Sequence, residues 1–149
     1  MRLSSLDRLR RDLKETDGKI VKLLNERALL SAKIGRAKAE KGLDVFDASQ
    51  EAKLFEYLIK VNEGMLPEKD LKAIFREIIS ASRALQKPVT VAFLGPHATF
   101  SHLAAESYFG TSTGFIPQAT IFHVFDEVEK GKVQWGVVPV ENSLEGSVN

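Results

Sequence analysis

Arg27 and Lys38 are two cations set into one side of a long amphipathic stretch. Leu6, Leu9, Leu13, Ile20, Leu23, Leu30, Ile34 and Ala37 recur at the three- and four-residue spacing of a helix face that packs on other helices, and Arg27 falls on that repeat. Lys38 comes eleven positions later, which at about 100° per residue returns it to nearly the same face, roughly 16 Å further along the axis. A guanidinium taken out of water needs an anion or several hydrogen bonds, because desolvating it alone costs several kcal/mol. The plain structural alternatives are a core carboxylate partner or a stem that carries the charge back to the surface. The functional alternative is an anionic ligand held between the two cations.

Other residues point the same way. Ser82 and Gln86 lie one turn apart on a later segment whose apolar side also carries Leu71, Phe75, Ile78 and Leu85, so that stripe turns polar at its end. Asp47 and Glu51 are likewise one turn apart. Each has an ordinary reading: Asp47 as a helix N-cap, Ser82 as an interior hydroxyl bonded to a helix carbonyl, Lys38 as a surface cation. Taken together they predict a polar pocket inside a helical body, rich in cations and holding two carboxylates.

Three helices must position these groups. The first is predicted from about Leu6 to Lys41, the second from after Asp47 to Gly64, and the third from Pro67, at the first helical position, to Pro88. At about 1.5 Å per residue the first helix is on the order of 50 Å long, too long to bury its stripe against two short partners. A homodimer with intertwined long helices is therefore expected. After Pro88 the pattern changes. Val89 to Leu94 reads as a strand ending at Gly95-Pro96, Thr99 to Phe109 as a helix, and Gly114 to Ile116 as a second strand. Ile121 to Lys130 then reads as a helix and Trp135 to Val140 as a third strand before Glu141, Asn142 and Ser143. This order predicts parallel pairing in a partial α/β segment. The expected division is residues 1–88, all-α, and residues 89–149, an incomplete α/β domain.

Composition narrows the function classes. The 149 residues contain no cysteine, which excludes thiol chemistry, and the spacing of His97, His102 and His123 matches no familiar zinc pattern, so no metal is expected. No stretch approaches the roughly 18 apolar residues of a membrane span, and the N-terminus lacks a signal-peptide core, which predicts a cytoplasmic protein. Residues 1–88 carry 19 Lys and Arg against 14 Asp and Glu, a net +5, and residues 89–149 carry 2 against 6, a net −4. Acidic residues interrupt the basic ones and few aromatics accompany them, so a small anion fits better than nucleic acid. Gly95 to Ser101, with Thr99 and Ser101, has the makings of a second anion site at a helix N-terminus, or of a well-capped first turn with no ligand.

The helical part resembles the all-helical chorismate mutase family. The matching residues are Arg10 and Arg27 in LRRDLKETDGKIVKLLNER, Lys38 in IGRAKAEKG, Asp47 and Glu51 in VFDASQEAKLF, and Ser82 and Gln86 in IISASRALQ. The rest resembles the opening of the prephenate dehydratase family, through VAFLGPHATFSHLAAESYFG and VPVENSLEGSV, and the join resembles the bifunctional enzymes of phenylalanine biosynthesis. The resemblance implies the rearrangement of chorismate to prephenate without a cofactor. Arg27, Lys38 and Gln86 would be catalytic, and Arg10 from a second subunit, Asp47, Gln50, Glu51 and Ser82 would complete substrate binding. Gln50 stands where that family often has arginine, at the third helical position after Asp47, as in a capping box. Thr99, Ser101, Glu141, Asn142 and Ser143 would be the remnant of a prephenate site, with Ala98 where glycine is usual. The Thr-Arg-Phe motif of the catalytic threonine is absent, as is the regulatory ACT domain, so dehydratase activity is expected only of a longer chain. The competing expectation is a non-catalytic helical dimerisation module carrying an anion-binding α/β domain, its buried polar groups serving only to set register.

Overall fold

The computed structural model of the protein describes residues 4–142 and 146–147. Helix α1 spans Ser5–Glu40, 36 residues or about 54 Å. It opens with a capping box in which the Ser4 hydroxyl accepts the Asp7 N–H at 3.1 Å and the Asp7 carboxylate accepts the Ser4 N–H. Gly42, at φ +65°, turns the chain away at its end. Helix α2 spans Ala48–Lys60 with Asp47 as N-cap, and α3 spans Glu68–Gln86.

Three boundary expectations are corrected. The second helix stops at Lys60, not Gly64, because the chain turns at Val61 and the Asn62 amide then bonds the Leu66 carbonyl across the loop. Pro67 is the N-cap of α3 and not its first helical residue; its carbonyl accepts the Asp70 and Leu71 N–H groups. The capping box read at Asp47 and Gln50 shows one bond, the Gln50 N–H to the Asp47 carboxylate at 3.1 Å.

Within one chain α3 packs on both α1 and α2. The side of α1 turned to α3 is Arg27, Ala28, Ser31, Ala32, Gly35 and Lys38, all half-buried, where small residues allow close approach. The leucine and isoleucine stripe expected to pack on other helices stays exposed from Leu6 to Ile34, and α1 contains no buried residue. Leu85, read on the inward side of α3, also faces out, because Ile79, Ser82, Arg83 and Gln86 take the inner positions.

Beyond Lys87 the backbone is extended and runs into strand β1, Thr90–Leu94. Helix α4 is Phe100–Phe109, β2 Gly114–Gln118, α5 Ile121–Glu129 and β3 Trp135–Val137. The sheet order is β2-β1-β3, parallel throughout, with Thr90 opposite Gly114 and Val91 opposite Trp135. In the central strand Val91, Ala92 and Phe93 are fully buried, as a parallel strand covered on both faces requires. Strand β2 runs two residues past Ile116; its Pro117 is tolerated because β2 is an edge strand. Strand β3 stops three residues before Val140, just ahead of Pro139, which has no N–H for a ladder. Strand β4, Glu141–Asn142, pairs antiparallel with β5, Gly146–Ser147. No helix among the described residues is long and apolar enough to cross a membrane.

The two parts meet along the outer side of α3. Phe46, from the loop between α1 and α2, joins Val89, Val91 and Phe109 in one apolar cluster and touches the rings of Tyr108 and Trp135. Arg76 donates to the Tyr108 carbonyl, Glu77 accepts the Thr111 N–H and hydroxyl, and Ser80 accepts the Ser112 N–H.

Candidate active site

Seven of the residues singled out in sequence line one cavity of about 150 Å³: Arg27, Lys38, Asp47, Gln50, Glu51, Ser82 and Gln86. Each helix contributes. Helix α1 supplies the two cations, the cap and first turn of α2 supply Asp47, Gln50 and Glu51, and the end of α3 supplies Ser82 and Gln86.

The Arg27 guanidinium donates to the Ser82 hydroxyl at 2.6 Å, and that hydroxyl in turn donates to the Ile78 carbonyl at 2.7 Å. The structural role of Ser82 and its pocket role therefore coexist. Burial pushes the Arg27 guanidinium below its ordinary pKa, with the Glu51 charge opposing. Lys38 donates to the Asp44 and Val45 carbonyls, both at 3.0 Å, which fixes the ammonium at the pocket rim. An ammonium has three N–H donors, so one is left for a ligand. Burial also pushes the Glu51 carboxyl above the usual carboxylate range, against the pull of Arg83, Arg76 and Lys38.

Gln86 is held by Ser31, with the amide nitrogen 2.5 Å from the hydroxyl, and its carbonyl oxygen is buried without a hydrogen-bond partner among the described residues. Turning the amide over lets Ser31 donate to the oxygen and places the NH2 where the unpartnered oxygen stood. Gly35 makes room for this side chain. A Cβ there would lie 2.7 Å from Gln86 Cγ.

Arg10 is not in the cavity. Its side chain is 70% exposed and pairs only loosely with Asp7 at 3.9 Å. The 17 residues between Arg10 and Arg27 correspond to about 25 Å of helix. Two polar residues missed in the sequence do line the cavity, Ser31 and Arg83, beside the apolar Val45, Leu54 and Ile79. Arg83 is 4% exposed and bonds Glu51 at 2.5 Å. Both left a signal: Ser31 continues the Arg27 face at a four-residue step, and Arg83 stands between Ile79 and Gln86 at steps of four and three.

In the α/β segment Thr99 is the N-cap of α4, accepting the His102 N–H at 3.3 Å and donating to the Pro96 carbonyl at 3.0 Å. Ser101 is half-buried in the first turn. Gly95-Pro96 is a cis peptide, and Ala98 sits at φ +63°, the left-handed region that glycine occupies without penalty. Glu141 and Asn142 form strand β4, while Ser143 lies outside the described residues. A larger cleft, about 550 Å³, runs between the end of α1 and Gly131 to Trp135. It shares Val45 and Gln86 with the smaller cavity but has no comparable convergence of charged groups.

This arrangement suits binding and reshaping of a small polyanion: two cations and an amide face one space, and a carboxylate held by an arginine stands opposite. Comparison with known proteins agrees. Residues 91–149 match the prephenate dehydratase family model. The bifunctional chorismate mutase/prephenate dehydratase of Aquifex aeolicus is 43% identical over 99% of this chain and 42% of its own length, and that of Stutzerimonas stutzeri is 40% identical over 97% and 41%. The chain thus spans about two-fifths of the length of these relatives. A solved chorismate mutase (form II) from Thermus thermophilus superposes with a TM-score of 0.54 at 33% identity, covering 55% of this chain and 93% of that one. The family model of chorismate mutase type II matches residues 9–87, and to that family the chain belongs.

Proposed function

We propose that this protein rearranges chorismate to prephenate in the α1–α2–α3 cavity, within a homodimer in which a second copy contributes Arg10. The observation that carries the reading is the convergence of Arg27, Lys38, Asp47, Gln50, Glu51, Ser82 and Gln86 on one cavity from three helices. Setting register needs one buried polar site, not seven, which argues against a purely dimerising module.

The reaction is an intramolecular [3,3] shift of a dianion, with no nucleophile and no proton transfer. Catalysis is then folding of the substrate and stabilisation of charge on the breaking ether oxygen. Arg27, steadied by Ser82, holds one carboxylate. Lys38, with its remaining N–H, and the Gln86 amide face the ether oxygen. Glu51 and Asp47 accept from the ring hydroxyl, and Gln50 borders the second carboxylate with one neutral amide in place of a charge. Arg10 of the second copy closes the open side. Residues 1–88 form this unit. Residues 89–149 correspond to the opening of a prephenate dehydratase domain, and the relatives' second activity is assigned to it only as part of a longer chain.

The direct test is loss of chorismate absorbance on adding the purified protein. Lys38→Ala should lower kcat by roughly 100-fold or more, the scale of deleting one donor to a developing oxyanion, about 3 kcal/mol. Its mass by light scattering should stay that of the parent. Parental turnover in Lys38→Ala would remove Lys38 from the mechanism.

A further inference from the structure

Arg83 has no part in the mechanism above, yet its guanidinium is the most buried charge among the described residues. Three anchors hold it. One nitrogen donates to the Glu51 carboxylate at 2.5 Å, a second donates to the Phe109 carbonyl at the end of α4, and the guanidinium carbon lies 4.9 Å from the centre of the Phe46 ring. The first anchor lies in the cavity. The other two lie in the apolar cluster shared with Val89 and Val91 of the α/β segment. Among the described residues Arg83 is the hydrogen-bond partner of the Glu51 side chain. The group that fixes Glu51 is therefore itself fixed from outside the helical part through the Phe109 carbonyl, while Phe46 backs it from the loop between α1 and α2.

We propose that Arg83 is a positioning residue of the chorismate pocket, a fork through which the α/β segment holds the Glu51 carboxylate in place. The proposal rests on the reading of that cavity as the mutase site. A guanidinium suits the task because its rigid planar donors reach a carboxylate and a carbonyl at once, whereas an ammonium supplies the charge without the fixed span.

The charges around Glu51 give the role a pH signature. Arg83 and Arg76 face it from α3, Lys38 and Arg27 from α1, and Asp47 stands at the cap of its own helix. Burial raises the Glu51 pKa, and Arg83 is the largest of the influences lowering it. Because the folded pKa lies above the unfolded one, the folded pocket takes up a proton at a pH where the unfolded chain has already lost it. Removing the Arg83 charge widens that window, so the ionised Glu51 needed by the substrate hydroxyl appears only at higher pH.

The test compares the parent 149-residue chain with Arg83→Gln and Arg83→Lys. It measures the Glu51 carboxyl titration by carbon NMR in the ligand-free protein, and kcat and KM against pH with chorismate. In Arg83→Gln the Glu51 midpoint and the acid limb of kcat should rise together, with kcat lower by about 10- to 100-fold, the scale of misplacing a group by an ångström. Arg83→Lys should keep a near-parental midpoint with an intermediate kcat. A folded Arg83→Gln with parental midpoint and acid limb overturns the proposal, as does an Arg83→Lys that matches Arg83→Gln in both. Should Arg83→Gln fail to fold, Arg83→Lys decides: a lowered kcat at a retained midpoint supports the fork, and a parental kcat overturns it. If the parent leaves chorismate untouched, the functional reading fails, and the NMR titration still decides whether Arg83 governs Glu51.

Discussion

At the scale of single residues the pocket depends on steric permission as much as on charge. Gly35 occupies a helical position where alanine is intrinsically better by roughly 0.5–1 kcal/mol. A Cβ there would nevertheless meet the Cβ, Cγ and Oε1 of Gln86 within 2.9 Å. Gly35→Ala should therefore keep the fold, with a melting temperature near the parent's, while kcat drops about tenfold or more as Gln86 leaves its donor position. An unchanged kcat would show that Gln86 has room to spare. The sequence made most of the site legible because Arg27, Lys38, Ser82 and Gln86 interrupt apolar stripes at helical spacing, and an interruption that expensive implies a partner. Arg83 interrupts its stripe in the same way, but nothing near it in sequence names its partner. Its partners, Glu51 and the Phe109 carbonyl, lie 32 and 26 residues away, so only the fold shows what satisfies it.

At the scale of elements α3 has two working sides. Ile79, Ser82 and Gln86 border the cavity, while Arg76 grips the end of α4 and Glu77 and Ser80 grip the loop after it. Gly110 is where that second side comes closest: it sits at φ +79°, and an added Cβ would collide with the Ser80 Cβ. Gly110→Ala should destabilise the protein by roughly 1–3 kcal/mol through combined backbone strain and overpacking, read as a lower midpoint in urea. A parental midpoint would mean that α3 and the loop separate without cost. Element type and order were legible from α1 to β3, since periodicity near 3.6 gives way to β-branched runs at Pro88, whereas the two-residue strands β4 and β5 carry no such pattern. Ends were less so. Where α2 stops is decided by the Asn62 bond to Leu66, and where β3 stops by Pro139. Parallel pairing followed from the alternation of strands and helices, but the strand order β2-β1-β3 and the docking of Phe46 onto the sheet carry no local signal, because they join elements far apart in the chain.

At the scale of the whole molecule, α1 is a helix of 36 residues without a buried one, and its leucine stripe lies open in a single chain. In the proposed dimer a second copy would cover that stripe and bring Arg10 to a cavity that one chain leaves open, so both needs point to the same dimer. The length of α1 was legible in sequence as a demand for a partner helix, while the geometry of that partner was not, because an apolar stripe fixes that it is covered and not by what. The claim that each cavity draws on two chains is tested most directly by complementation. Arg10→Ala and Lys38→Ala proteins, each impaired alone, are co-refolded in equal amounts and assayed for chorismate consumption. A mixed dimer rebuilds one intact cavity from the unaltered Arg10 of one chain and the unaltered Lys38 of the other. With random pairing half the dimers are mixed, so turnover should recover to about a quarter of the parent's. Activity of the mixture no greater than the mean of the two variants alone would contradict the account.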